Sequence, residues 1–180
     1  MFVLVINPIL CILFLASIIF CSCSNDPKLV QEFIEQQDLP IERIQGAEML
    51  QTENGKLKIK IVSSTIERFQ DVQPSLVFSN GLEVTFYKDS VVSSVLTANK
   101  AEVNEIKNIM IASDNVVLVS SEGKRMNTDE LIWDEGKNKI YTDKRIIITT
   151  AKEIVEGEGF ESNPDFSKYS ITKINGTFNF

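Results

Sequence analysis

The chain has 180 residues, 18 Lys and Arg against 25 Asp and Glu, a net charge of −7, three Cys and no His. Without His there is no Ser-His-Asp or Cys-His arrangement, and most familiar metal constellations are removed as well. An acidic surface disfavours DNA, RNA and anionic headgroups as main electrostatic partners, so a bound lipid would be gripped by its tails rather than its phosphates.

The first charged residue is Asp26, and Ile9 to Phe20 is apolar except for Ser17. That run reads as a secretory h-region, which makes the chain exported or membrane-held through residues 1–23. Phe20-Cys21-Ser22-Cys23-Ser24 then sets a small residue before a cysteine, similar to the lipobox of a bacterial lipoprotein with Cys23 as the lipidated residue. The lipoprotein pattern usually has Lys or Arg ahead of the run and a smaller aliphatic residue in place of Phe20. The competing reading is an uncleaved transmembrane helix, since residues 1–23 approach a bilayer span of roughly 20 residues, with Asn7 and Pro8 inside it. All three cysteines lie in this segment, so the rest of the chain has no disulfide, thiol nucleophile or cysteine metal site.

Residues 24–46 read as a linker. Within it Asn25-Asp26-Pro27 offers an N-cap with Pro at the first helical position, and Leu29, Val30, Phe33 and Ile34 share a face, predicting a short amphipathic helix over about 27–37. Leu39-Pro40 ends it.

From Ala47 to residue 180 the helical period vanishes, and strands are punctuated by Glu53-Asn54-Gly55, Ser79-Asn80-Gly81, Lys88-Asp89, Ser121-Glu122-Gly123 and Asn175-Gly176. Asn-Gly is read as a hairpin signal. In Lys56-Leu57-Lys58-Ile59-Lys60-Ile61, lysines and aliphatics alternate, which puts Leu57, Ile59 and Ile61 on one buried face. Leu82, Val84 and Phe86 repeat the alternation, while Val116–Val119 and Ile146–Ile148 are continuous apolar runs of strands covered on both sides or lining a greasy interior. About ten short strands in one domain predict a sandwich, open roll or barrel.

A phrase recurs along this region: Leu96 to Val103, then Met126-Asn127-Thr128-Asp129-Glu130-Leu131-Ile132-Trp133, then Val155 to Ser162. Ala101 and Leu131 are 30 positions apart and Phe160 follows Leu131 by 29, a period of stacked supersecondary units. Thr128-Asp129 and Thr142-Asp143 occupy equivalent places in successive strands. They could be read as a catalytic carboxylate pair, but side-chain hydrogen bonding in repeated turns accounts for Thr-Asp steps without chemistry. Gly157-Glu158-Gly159 lacks the strand, spacing and helix of a nucleotide loop and reads as a bulge or a close backbone approach.

Gly81 to Tyr87, Leu96 to Val103, Asn115-Val116-Val117, Asn127 to Trp133, Ile140-Tyr141-Thr142-Asp143 and Gly157 to Phe160 resemble, in this order, the LptC family of the bacterial lipopolysaccharide transport machine, its Bacteroidetes branch above all. The resemblance covers about 47–178. It implies an all-β fold, a twisted open OstA-like β-jellyroll of two facing antiparallel sheets whose interior takes the acyl chains of lipid A. It also implies a non-enzymatic relay without cofactor or metal, at the periplasmic side of the inner membrane. Lipopolysaccharide would be received from the permeases of an inner-membrane ABC transporter and passed to an LptA-like periplasmic bridge protein. Within that frame the candidate interior positions are Leu57, Ile59, Ile61, Val84, Phe86, Ile109, Ile111, Leu131, Trp133, Ile140, Ile146, Ile148 and Phe160. Ordinary core would show the same inward alternation. The terminal segment, with Ile171, Ile174 and Phe178, is either the strand edge offered to the bridge protein or a plain closing strand. The alternative function is a structural docking module with a sealed core.

Overall fold

A computed structural model describes residues 39–179. The anchor, Cys23 and the helix expected at about 27–37 lie outside the described residues. Ten strands follow one another: β1 (Glu42–Glu53), β2 (Lys56–Arg68), β3 (Leu76–Lys88), β4 (Val91–Ala98), β5 (Lys100–Asn104), β6 (Ile109–Ser120), β7 (Arg125–Asp134), β8 (Lys139–Thr149), β9 (Glu153–Ser162) and β10 (Tyr169–Asn179). All are antiparallel members of one sheet in the order β1-β2-β3-β4-β6-β7-β8-β9-β10. β5 continues the line of β4 between β3 and β6, to both of which it pairs. The chain is thus all-β, and nearly every strand lies beside its sequence neighbour.

Strand pairing begins at Glu42, five residues before the predicted start at Ala47. The early residues gave no period-2 signal because β1 is an edge strand, exposed along almost its whole length. Asn54-Gly55 and Asp89-Ser90 both have positive φ at the two turn residues, the twist that matches a two-residue hairpin. Asn80-Gly81 and Asn175-Gly176 are different from expectation: they lie inside β3 and β10, not between strands.

These interior irregularities form a line across the sheet. Gly46, Asn80-Gly81, Asp114-Asn115 and Gly159 carry positive φ, and pairing registers shift between Ser63 and Thr65, Ser113 and Val116, Thr128 and Ile132, and Thr142 and Arg145. The registers place each irregularity beside the next. A bulge bends its strand and re-aims the following side chains, so the line acts as a seam that folds one sheet into two facing halves. Side chains close the bonds that the seam opens. Thr128 Oγ1 donates to the Arg145 carbonyl at 2.9 Å, Thr142 Oγ1 accepts from the Lys144 N–H at 3.1 Å, and Ser63 Oγ donates to the Gly81 carbonyl at 3.1 Å. The Thr-Asp steps are therefore marks of the fold line.

The 30-residue period is one hairpin: β5–β6, β7–β8 and β9–β10 in turn. Ala101, Leu131 and Phe160 are all buried just past the seam in the first strand of each. Gly157 and Gly159 are small because β10 passes against them: a Cβ on Gly157 would lie 2.5 Å from the Lys173 carbonyl oxygen, and one on Gly159 would lie 2.5 Å from Thr172 Oγ1.

Candidate functional site

The site is the space between the two halves. On one half, cross-strand pairing aligns Ile61, Val84, Leu96, Leu118, Met126, Ile148 and Val155 in a row. On the other it aligns Leu76, Val103, Met110, Trp133 and Ile140. The rows face each other, as Phe86 from the first half meets Trp133 from the second edge to face, with ring centroids 5.3 Å apart. The interior is consequently packed at its centre: Val84, Leu96, Leu118, Met126, Ile140, Ile146 and Ile148 are inaccessible.

Of the predicted interior positions, Ile59, Val84, Phe86, Leu131, Trp133, Ile140, Ile146, Ile148 and Phe160 belong to this single core cluster, with Ile61 packed against it. Leu57 is half-buried on the same side of β2. Ile109 and Ile111 are not interior. Met110 pairs with Trp133 and Ala112 with Leu131, both inward, so Ile109 and Ile111 fall on the outer face opposite Asp134 and Ile132. The run Ile109-Met110-Ile111-Ala112 is apolar at both parities, and only its register with β7 decides which pair turns inward.

The two sides of the roll end differently. Near β9 and β10, Phe166 comes in from the connecting loop and is fully buried, 5.5 Å from Phe160 and 5.4 Å from Tyr169 between ring centroids. This aromatic cluster stops the interior, and nothing in the Pro- and Ser-containing loop announced it except the large apolar residue itself. At β1 nothing among the described residues seals the interior. Ile44 and Met49 pair with Ile66 and Ile61 and share their inward side, yet remain 40% and 37% exposed. Sequence reasoning passed over both because the bend at Gly46 breaks the alternation between them.

Opposite the seam the strand ends meet as two lips over an open cavity of about 730 Å³, floored by Ile59, Phe86 and Trp133. Its rim is polar. Gln51 Nε2 donates to Glu135 Oε1 at 2.6 Å, and Lys88 Nζ donates to Asp165 Oδ2 at 3.0 Å. Burial opposes ionisation of Asp165, but hydrogen bonds from Ser167 and the Lys88 ammonium outweigh it and hold the carboxyl below its usual range. Beside this rim, Asp134 closes the β7–β8 turn by accepting from the Lys137 ammonium at 2.6 Å and its backbone N–H at 2.9 Å.

β10 is the other edge of the sheet, pairing only with β9 among the described residues. Ile171 packs against the core, whereas Ile174 and Phe178 are exposed.

The sequence profile of the family described as "Lipopolysaccharide-assembly, LptC-related" matches residues 8–172. The chain belongs to the LptC family. No curated protein matches the chain. Membership assigns this LptC-related protein a part in lipopolysaccharide transport and assembly within the cell-envelope machinery, and the folded ten-stranded sheet agrees with the jellyroll expected of that family.

Proposed function

We propose that the protein is a non-enzymatic carrier that takes acyl chains of lipopolysaccharide between its half-sheets. It receives them from the permeases of an inner-membrane ABC transporter and hands them to an LptA-like periplasmic bridge protein at the β10 edge, with Ile171, Ile174 and Phe178 at the junction. Residues 1–23 tether it to the periplasmic side of the inner membrane, by acylation of Cys23 or as a helix. The observation that carries this reading is the unsealed β1 side, where Ile44 and Met49 leave inward-facing apolar surface exposed beside Ile61. Each methylene that leaves water contributes roughly 0.8 kcal/mol, so a few partly buried chains suffice for firm but reversible holding. A free strand edge is a ready template for β-augmentation by a partner.

Site-specific photocrosslinking tests it. A light-activated residue at Met49 should form adducts with lipopolysaccharide during export, and one at Val62, on the outer face of β2, should not. Equal labelling at the two positions, or none at Met49, would overturn the carrier reading.

The packed centre supports a second reading, a docking module that joins transporter and bridge while its sealed core carries nothing. In that case Met49→Asp would leave export intact, whereas disruption of the β10 edge at Ile174 and Phe178 would abolish it.

A further inference from the structure

We infer that the Gln51–Glu135 bridge is a polar latch across the lips of the roll, and that the cavity beneath it is the inlet for one apolar chain of the carried amphiphile. The inference rests on the carrier reading and adds to it where the chain enters and what controls the opening.

The two residues belong to different halves of the folded sheet. Gln51 is near the end of β1 and Glu135 begins the β7–β8 turn. The contact between them spans 84 residues of sequence and crosses the lip opposite the seam. Lys88 with Asp165 is a second side-chain bridge over this rim, and the Ser94 hydroxyl, donating to the Pro164 carbonyl, also joins the two halves beside the cavity. Among the described residues Glu135 has no other side-chain partner. Gln51 is also the last β1 residue before the register slips, between Gln51 and Thr52, so it sits where the edge strand is least firmly laddered.

What the latch covers is ligand-sized. A cavity of about 730 Å³ is within the range of roughly 300–1,000 Å³ typical of small-molecule sites. Its floor of Ile59, Phe86 and Trp133 is apolar and its rim carries charge, the polarity of an amphiphile with its chain pointing inward. Phe86 and Trp133 are also the ring pair that closes the centre, so a chain entering here meets the contact it must part to go deeper. An exposed bridge of this kind is weak, which suits a device that opens under the free energy of one entering chain.

Changing the charge at the latch tests this in the full-length protein in cells, with a photoreactive phenylalanine analogue at Ile59, whose inward side chain lines the cavity. Gln51→Glu sets two carboxylates against each other and should raise lipopolysaccharide adducts about two- to five-fold, the scale of exposed charge pairs. Gln51→Lys should lower them by a similar factor. The double variant Gln51→Glu with Glu135→Lys restores an attractive pair and should return the yield to the wild-type level, which a merely damaged fold would not do. Adducts at Met49 with an Ile59 yield indifferent to all three variants would overturn the latch and leave the carrier reading standing. Absence of adducts at both positions would overturn the carrier reading itself.

Discussion

Gly157→Ala is the sharpest test of how β10 is held. Its Cβ would lie 2.5 Å from the Lys173 carbonyl oxygen and 2.7 Å from Ile171 Cγ2, nearly 1 Å inside an ordinary contact of about 3.5 Å. The Ile171 side chain can rotate, but the Lys173 oxygen is part of the backbone pairing with Glu158. Relief therefore requires β10 to move outward by most of an ångström, which stretches bonds of about 2.9 Å past useful length. Losing one or two ladder bonds at about 1 kcal/mol each, with overpacking of about 1–3 kcal/mol, predicts a loss of roughly 2–5 kcal/mol. Chemical denaturation should read that loss, and hydrogen exchange should show faster amides in Ile171 to Thr177 while β6 and β7 stay protected. Gly46→Ala is the control, since nothing lies within 4 Å of its added Cβ and only its positive φ is offended, at about 1–2 kcal/mol. The reasoning fails if Gly157→Ala costs no more than Gly46→Ala and leaves β10 exchange unchanged.

Leu118→Ala, at a position with no accessible surface, should lower unfolding free energy by about 2–5 kcal/mol, whereas Met49→Ala at the unsealed side should cost less than about 1 kcal/mol in the same melts. Thr128→Val removes the hydroxyl donated to the Arg145 and Glu130 carbonyls and should cost about 1–3 kcal/mol, with faster exchange on both sides of the seam. The hydrogen bond from Lys137 holds the Asp134 carboxyl below its usual range and, reciprocally, raises the Lys137 ammonium. The contribution of the depressed acid is complete above the unfolded carboxylate value of about 3.9 and vanishes as pH falls through the folded one; that of the raised base is complete below about 10.4 and vanishes as pH rises through its folded value. Stability measured against pH should therefore lose this component at both extremes in the wild type, and Asp134→Asn should flatten the acid limb.

Much of the fold is legible in the chain because strict alternation, as in Lys56 to Ile61, leaves only one face to bury. Where both parities are apolar, as in Ile109 to Ala112, alternation has no phase, and the inward pair is chosen by register with Trp133 and Leu131 on the next strand. Positive-φ residues carry a second ambiguity. Asn54-Gly55 makes a hairpin turn and Asn80-Gly81 a bend within a strand, yet the local backbone demand is the same, and only the presence of a continuing partner strand separates them. The site was half visible for the same reason. Its buried members follow the period, but its exposed members, Ile44 and Met49, sit on an edge strand either side of a bend, and its rim, Gln51 with Glu135, is assembled by the fold alone.

Because each 30-residue hairpin crosses the seam twice and pairs mainly with the hairpins beside it, hairpin number sets the length of the roll without altering its cross-section. Every added unit would lengthen the interior by two strand spacings, roughly 9.5 Å, and every deleted one would shorten it by as much. Capacity in this architecture is thus a counting variable: a jellyroll for longer or more numerous chains requires more copies of one hairpin rather than a new fold.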